Sequence, residues 1–155
     1  MHEISENAED LTGLHLWLIL WKAHRALETH AFQSIAGLGL GLSDFAALEL
    51  LLHKGPQPVN TIGKKIMLTS GSITSTIDRL EAKNLVHRTT SPADQRVRIV
   101  QLTPEGRKLI SCAFTQHRKD MEHAAAALNP AERRQLIRLL KKLGLSAANQ
   151  TATNQ

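Results

Sequence analysis

One segment of the sequence, residues 69–84, limits the possible folds more than any other because its two faces have opposite characters. Apolar side chains recur at Ile73, Ile77 and Leu80, a spacing that gives an α-helix one buried face. Five of the seven positions from 70 to 76 carry hydroxyl side chains, which are mediocre helix formers. The outward positions are Ser70, Ser72, Thr74, Ser75, Thr76 and Arg79. Such a surface is costly unless it has a partner, so the segment predicts a helix, capped by Thr69 or Ser70, whose polar face contacts another molecule.

Two β-prone runs follow this helix, and a short helix precedes it. The runs cover residues 85–90 and 97–102, and the loop between them contains Pro92 and Asp94, which suit a projecting turn. The preceding helix is predicted over residues 60–67. A short helix, a turn, a polar-faced helix and a basic hairpin occur in the order of a winged helix-turn-helix. We therefore expect a mainly α fold (α+β) in which a two-stranded β wing joins a helix-turn-helix.

Long helices are predicted on both sides of this lobe. In order, the further predicted helices are residues 10–35, 43–54, 103–128 and 129–144. Ser43 is the expected N-cap of the second of these. Thr103 and Asn129 are each followed by proline, a pattern typical of a helix start. The chain thus divides into helical parts at residues 1–36 and 103–145, a winged lobe at residues 43–102, and a polar tail at residues 146–155 that is predicted to be disordered.

The charges are unevenly distributed along the chain, whose net charge is +5. Residues 54–98 hold eight basic and three acidic side chains, whereas residues 1–53 hold two basic and seven acidic ones. A basic centre is a plausible surface for a polyanion, although many charged runs are simply solvated. The basic lobe therefore agrees with a nucleic-acid partner.

Composition and short motifs bear on which other classes of protein the chain could belong to. The single cysteine, Cys112, excludes an intramolecular disulfide framework and fits a reducing compartment. The apolar run at residues 14–21 is interrupted by His15 and is far shorter than the ~20 residues of a membrane span. We expect a soluble cytoplasmic protein without a cofactor. No Gly-rich phosphate loop, nucleophile elbow or HExxH pattern occurs in the sequence, so neither an enzyme nor a metal site is indicated.

Three arginines, Arg88, Arg96 and Arg98, lie on or beside the predicted hairpin. An arginine on a projecting loop suits a narrow minor groove, where the negative potential of DNA is enhanced. Asp94 precedes Arg96 by two residues and can hold a neighbouring arginine side chain through a charge-assisted pair. An ordinary surface salt bridge would explain the same pattern.

A set of segments in this region resembles the MarR family. They are Leu48-Glu49-Leu50-Leu51, Ile62-Gly63-Lys64-Lys65, Thr69-Ser70-Gly71-Ser72-Ile73-Thr74, Ile77-Asp78-Arg79-Leu80-Glu81, Lys83-Asn84-Leu85-Val86, Asp94-Gln95-Arg96 and Val100-Gln101-Leu102-Thr103-Pro104-Glu105-Gly106. The resemblance covers roughly residues 10–145, and its specific core runs from Ser43 to Gly106. Residues 53–58, 62–65 and 69–74 are similar in particular to the MhqR-like branch, which is associated with aromatic and quinone-type stress.

The resemblance implies a homodimeric transcription regulator, a repressor of the type released by a small ligand, that binds double-stranded DNA at a pseudo-palindromic operator. It also implies that the first, fifth and sixth helices interlock between two copies. The sequence agrees, because the first and last helices are apolar on most sides and must be buried on most sides. On matching positions, Arg96 is the wing arginine and Asp94 its companion. The DNA-facing positions implied are Ser70, Ser72, Thr74, Ser75 and Arg79, with Lys64 and Lys65 on phosphates and Arg88 and Arg98 on the hairpin.

In the family that this chain resembles, small aromatic acids or phenols often bind between the dimer helices and the DNA-binding lobe. Trp17, Trp21, His24 and Arg25 on the first helix are the candidate lining here, with Arg25 as the partner of a carboxylate. The alternative is that both tryptophans belong to the dimer core and Arg25 is an outer charge. Peroxide-sensing relatives carry a reactive cysteine near the start of the first helix, which this chain lacks. Cys112 is expected to be a buried, inert thiol.

Two rival interpretations stay open at this point. The chain can be read as a helical protein-interaction module whose basic surface meets an acidic partner. It can also be read as a regulator that responds to a metal through its eight histidines or to oxidants through its thiol. Salt-dependent, sequence-selective binding to DNA separates the first rival from a transcription regulator.

Overall fold

The fold was analysed in a computed structural model, which describes residues 11–153. The elements, in chain order, are α1 (Gly13–Ile35), a 3-10 helix (Ala36–Leu38), α2 (Leu42–Lys54), β1 (Gln57–Pro58), α3 (Val59–Lys65), α4 (Ser70–Ala82), β2 (Val86–Thr90), β3 (Arg98–Leu102), α5 (Pro104–Ala124) and α6 (Pro130–Thr153). The mainly helical winged architecture predicted from the sequence is confirmed. Asp10, the predicted start of the first helix, and the acidic residues before it lie outside the described residues.

The chain divides into two units, Met1–Met121 and Glu122–Gln155, of which residues 11–121 and 122–153 are described. The division falls near the end of α5, in a different place from the boundaries that the sequence suggests. The prediction that residues 1–36 and 103–145 form a helical dimerisation region, separate from the winged lobe, therefore stays a prediction.

The wing belongs to a three-stranded antiparallel sheet of order β1-β3-β2. Arg88 on β2 and Gln57 on β1 both pair with Val100 of the central strand. The predicted two-stranded wing is present as β2 and β3, and β1 adds a third strand that the sequence did not predict. No strand is predicted at β1 because two residues, one of them a proline, carry almost no strand signal.

The core of the first unit lies where α2, α3 and α4 meet the sheet and α5. Leu48, Ile62, Ile77, Val100 and Ile110 are all completely buried there. Burying one such aliphatic side chain contributes about 1.5–3 kcal/mol to folding. The three residues that give α4 its apolar face, Ile73, Ile77 and Leu80, all belong to this core, so the opposite face of α4 is held towards solvent.

The start of α2 differs from the prediction. Its N-cap is Gly41, and Ser43 lies within the first turn. Asp44 explains the shift, because its Oδ2 accepts a hydrogen bond from the Gly41 backbone N–H at 3.2 Å. A carboxylate at the third helical position satisfies the N-cap amide and makes the hydroxyl of Ser43 unnecessary as a cap.

The start of α5 agrees with the prediction and also fastens α5 to the turn before β2. Thr103 Oγ1 accepts a hydrogen bond from Gly106 N at 2.9 Å and donates one to Asn84 O at 2.7 Å. A Cβ on Gly106 would stand 1.9 Å from the carbonyl oxygen of Leu85. Glycine is thus required for the close approach of α5 to the wing.

The second unit is dominated by α6. Asn129 caps it as predicted, because Asn129 Oδ1 accepts from Ala131 N at 2.9 Å and Glu132 N at 3.0 Å. The predicted end near Gly144 and the disordered tail were wrong for residues 146–153, which continue the helix. Alanines at 147 and 148 favour helix, and one glycine costs only about 1 kcal/mol. Residues 154–155 of the predicted tail lie outside the described residues.

Within residues 11–153, no single helix is long and apolar enough to span a membrane. One helix pair, Gly13–Leu38 with Leu42–Lys54, meets the length and composition limits jointly, but the two are bent by 81°.

Candidate nucleic-acid interface

The helix-turn-helix is formed by α3 and α4, and a glycine lets the two helices approach. A Cβ on Gly63 of α3 would lie 3.1 Å from Ile73 Cγ2 on α4, tighter than ordinary contact. The start of α4 is fixed by Thr69, one of the two predicted caps, whose Oγ1 accepts from Ser72 N at 3.2 Å. The same hydroxyl donates to Ser72 Oγ at 2.9 Å. The first turn of α4 is therefore ordered by its own side chains.

The outer face of α4 carries the predicted hydroxyl groups. The exposed members are Ser70, Ser72, Thr74 and Ser75. Thr74 Oγ1 donates to the backbone oxygen of Ser70 at 2.9 Å, which leaves its oxygen able to accept. Thr76, expected on this face, is instead buried at 1% exposure and accepts from Arg79 Nη2 at 3.1 Å. Small side chains on an exposed helix leave its backbone free to approach a flat or grooved partner.

Arg79 lies at the edge of this face and is anchored from below. Its Nε and Nη2 donate to Oδ1 of Asp44 at 3.2 and 2.7 Å. The Asp44 side chain is only 5% exposed, whereas that of Arg79 is 50% exposed. The guanidinium therefore neutralises a buried carboxylate and still presents its outer edge to solvent.

Arg88, another predicted cation, is largely occupied within the lobe. Its guanidinium pairs with Glu81 Oε2 at 2.9 Å and with the carboxylate of Asp78, and its backbone N–H donates to Glu81 Oε1 at 3.1 Å. The side chain is 25% exposed. Arg88 thus ties β2 to α4 and offsets two acidic side chains of α4.

The tip of the wing has a different arrangement from the expected side-chain pair. Asp94 Oδ1 accepts from the backbone N–H of Arg96 at 2.9 Å, so Asp94 shapes the turn and leaves the Arg96 side chain alone. The Arg96 guanidinium is exposed and has no partner among the described residues. On the strand below, Arg98 donates to the hydroxyl of Thr90. Arg96 is therefore a projecting, uncommitted cation.

A cleft of about 610 Å³ lies between α3–α4 and the wing. The described residues that line it include four cationic side chains and no acidic one; the cations are Lys64, Arg88, Arg96 and Arg98. Lys65, also predicted to hold phosphates, is exposed on α3 outside this lining. Ser70 and Thr74 form the α4 wall of the cleft. On the other flank of α4, a depression of about 560 Å³ is lined by Ser43, Ser72, Ser75, Thr76 and Arg79 among others. The exposed face of α4 is thus bordered by a strongly cationic channel on the wing side.

Sequence reasoning missed the supporting contacts of this surface. Asp44 and Arg79 are 35 positions apart, and no local pattern indicates that pair. The spacing of Glu81 and Arg88 across a helix end carries no fixed geometry either. From the sequence, Asp44 is only an acid near a helix start; its need for a cationic partner follows from its burial, which the structure shows.

The four candidate ligand-binding residues all lie on α1. Trp17, Trp21 and Arg25 follow each other at four-residue intervals and share one side of the helix, with His24 next to it. The tryptophans are 59% and 51% exposed. Arg25 Nη1 already pairs with Glu28 Oε2 at 3.2 Å.

Cys112 and the histidines are the candidate groups for a response to oxidants or to a metal. Cys112 is exposed, so the expectation of a buried thiol was wrong. Ile110 and Ala113 point into the core, and the helical rotation turns the position between them to solvent. Within the described residues, no group of three or more His, Cys, Asp or Glu side chains could hold a metal ion.

Known proteins share this architecture. The model of the MarR family matches residues 40–97, which span α2 to the wing. The chain is similar to the HTH-type transcriptional regulator MhqR of Bacillus subtilis (strain 168), with 40% identity over 135 residues, 87% of this chain and 93% of MhqR.

Solved structures give the same result for the fold. BpsR of Bordetella bronchiseptica, whose DNA binding is regulated by 6-hydroxynicotinic acid, superposes with a TM-score of 0.77 at 27% identity, covering 93% of this chain and 97% of that one. A mutant of MarR from E. coli, solved as a complex with operator DNA, superposes with a TM-score of 0.76 at 22% identity, covering 83% and 92%.

Proposed function

Because the chain belongs to the MarR family of DNA-binding transcriptional regulators, we propose that it is a repressor released from its operator by a small aromatic ligand. Its relatives are regulators, and it is not an enzyme. We place it in the cytoplasm, with the DNA that it regulates. The observation that carries the proposed interface is the uncommitted Arg96 guanidinium beside a cationic cleft that borders the hydroxyl-rich face of α4.

In the proposed complex, α4 enters the major groove of double-stranded DNA. Ser70, Ser72, Thr74 and Ser75 are short enough to let the helix backbone approach the base edges, and their hydroxyl groups can donate or accept there. Arg79 lies at the edge of this face, and because Asp44 holds it, little side-chain entropy is lost when its outer N–H groups meet a phosphate.

Arg96 enters the adjacent minor groove at the wing tip. Its freedom from intramolecular ion pairs means that no existing contact must be broken on binding. Asp94 contributes by shaping the turn. Lys64, Lys65 and Arg98 contact the sugar–phosphate backbone, and Arg88 contributes by neutralising the two acids of α4 that would otherwise repel DNA.

The functional form is proposed to be a homodimer, which would present two α4 helices to a pseudo-palindromic operator. Large apolar side chains on α1 and α6 support this, because they stay exposed within the single chain. On α6 they are Leu136, Ile137, Leu139, Leu140, Leu143 and Leu145, with exposures of 38–69%. On α1 they include Leu14, Leu16 and Ile19, with exposures of 52–70%. Exposed apolar side chains on two helices indicate a binding partner, and a second copy of the chain would offer the same side chains in return.

The effector is proposed to be a small aromatic, phenolic or quinone-like compound. The regulation of BpsR by 6-hydroxynicotinic acid supports this class. Trp17 and Trp21 offer aromatic faces, His24 a hydrogen-bonding ring, and Arg25 a cation that can exchange its exposed bond to Glu28 for a ligand carboxylate or phenolate.

The test selects duplexes from a random double-stranded pool with the full-length chain. At about 150 mM salt we expect the selected duplex to bind at least about 10³-fold more tightly than a scrambled one. Arg96→Ala should weaken binding about tenfold or more while the dimer persists in sedimentation. Lys119→Ala, which removes the same charge from the exposed surface of α5, is the matched control.

Release is then measured with a panel of phenols, quinones and hydroxynicotinic acids. We expect one class to lower the affinity for the selected duplex, and Trp21→Ala to reduce that response without changing DNA affinity in the absence of ligand. A chain that selects no duplex and instead binds acidic proteins contradicts the proposal. Unchanged affinity of Arg96→Ala contradicts the assigned wing contact.

A further inference from the structure

Four described residues have a positive φ, and one of them does not fit the others. Gly39, Gly55 and Asn84 have φ values of 64°, 71° and 55°. Glycine and asparagine tolerate this left-handed region. The fourth is Met67 at 59°, a long unbranched side chain in a backbone conformation that such residues rarely adopt.

The same kind of turn occurs before and after α4, which allows a direct comparison. Before α4, Leu68 N donates to Gly63 O at 2.8 Å and Met67 N to Lys64 O at 3.4 Å. After α4, Leu85 N donates to Leu80 O at 3.0 Å and Asn84 N to Glu81 O at 2.9 Å. Both are Schellman turns, in which the left-handed position is normally glycine or asparagine. Asn84 follows that preference and Met67 departs from it.

Packing does not account for Met67 either. Its two neighbours, Ile66 and Leu68, are partly buried against the core, whereas Met67 is 91% exposed. An apolar side chain this exposed gains nothing from burial, and its backbone conformation is unfavourable. Within the free protein, a glycine would serve better at this position.

The turn lies at the border of the proposed DNA surface. Lys64 and Lys65 at the end of α3 are exposed just before it, and Thr69 and Ser70 begin α4 just after it. We propose that Met67 packs its thioether side chain against the deoxyribose carbons of the DNA backbone where the strand passes the start of α4. The inference rests on the proposed function and adds an uncharged anchor to it.

The chemistry favours the sugar over the phosphate. A thioether is a poor partner for a phosphate oxygen but fits the C–H face of deoxyribose, and methionine is flexible enough to follow its curvature. A contact to the sugar carries no sequence information and releases no counterion. Loss of Met67 should therefore weaken all duplexes equally and leave the slope of log Kd against log salt unchanged.

The experiment compares Met67→Gly with the wild type on the selected duplex and on a scrambled duplex. We expect Met67→Gly to raise the unfolding midpoint by about 2–4 °C, because the left-handed turn is relieved. It should weaken both duplexes by the same factor, about three- to tenfold, through loss of apolar contact. Met67→Leu keeps both the strain and the apolar bulk, so its affinity should stay within about twofold of wild type.

Asn84→Gly is the matched control, because it also puts glycine at the left-handed position of a Schellman turn, at the far end of α4. It should leave DNA affinity unchanged. Equal affinity of Met67→Gly and wild type overturns the inference, as does a loss confined to the selected duplex. If the wild type selects no duplex, the proposed function fails and the Met67 contact fails with it. If the wild type selects a duplex and Met67→Gly binds it equally well, only the Met67 contact is overturned and the proposed function stands.

Discussion

Asp44 and Arg79 join the first turn of α2 to the last turn of α4 through a single carboxylate oxygen, which accepts from Nε at 3.2 Å and from Nη2 at 2.7 Å. The second carboxylate oxygen of Asp44 accepts from Gly41 N. One buried acid therefore serves both the α2 cap and the anchoring of Arg79.

Arg79→Ala should destabilise the fold even though Arg79 is half exposed. It leaves the Asp44 carboxylate buried without its cation, at a cost of about 2 kcal/mol after allowance for the exposed partner. Adding Asp44→Asn to Arg79→Ala should recover part of this loss, because a neutral amide is cheaper to bury. Urea unfolding measures all three variants.

The control for this pair is Arg107→Ala, an exposed arginine of α5. Its free energy of unfolding should change by no more than about 0.5 kcal/mol. If the double variant is less stable than Arg79→Ala alone, Asp44 does not depend on Arg79 for its charge balance. The unfolding midpoint also explains any loss of DNA binding in Arg79→Ala. A lowered midpoint indicates instability, whereas an unchanged midpoint indicates a lost phosphate contact.

Asp78→Asn should strengthen DNA binding. Asp78 is 58% exposed on α4 and holds one side of the Arg88 guanidinium. Removing its charge takes a repulsive group from the proposed interface and frees Arg88 towards the cleft, so we expect affinity to rise about two- to fivefold, with a steeper salt dependence. Fluorescence anisotropy over a salt series measures both.

Asp120→Asn makes the same chemical change on α5, where Asp120 Oδ1 accepts from Gln116. It should raise affinity only by the general effect of one charge. Equal responses of the two variants would show that Asp78 has no special place at the interface.

Gly106→Ala should be severely destabilising. The added Cβ would stand 1.9 Å from Leu85 O, and that oxygen is held in place by the Thr103 N–H at 3.1 Å. Because backbone must move, we expect a loss of about 3 kcal/mol or more. Gly71→Ala, in the first turn of α4 with nothing within 4 Å, should instead stabilise by about 0.5–1 kcal/mol. Thermal unfolding distinguishes them, and similar midpoints would contradict the close approach.

Sequence reasoning succeeded where the signal was local. The Thr69 cap, the apolar face of Ile73, Ile77 and Leu80, and the Thr103 helix start depend on residues within a few positions of each other. It failed where the deciding contact was distant or weak. The partner of Arg79 lies 35 positions away, β1 has only two residues, and Cys112 needed the rotation of α5 to be known.

Truncation after Asn129 should abolish the dimer and strongly weaken DNA binding while leaving the winged lobe folded. The core of the first unit is formed by residues 35–113, so removing α6 takes away none of its buried side chains. What is lost is the set of exposed apolar residues on α6, which we propose a second copy covers. Without the dimer, the two lobes bind half-sites independently, and affinity should fall by about 10²-fold or more through lost effective concentration. Sedimentation and anisotropy on the selected duplex measure the two effects together. A truncated chain that stays monomeric and still protects the full operator would refute the dimer proposal, whereas retention of the dimer would place the interface on other helices.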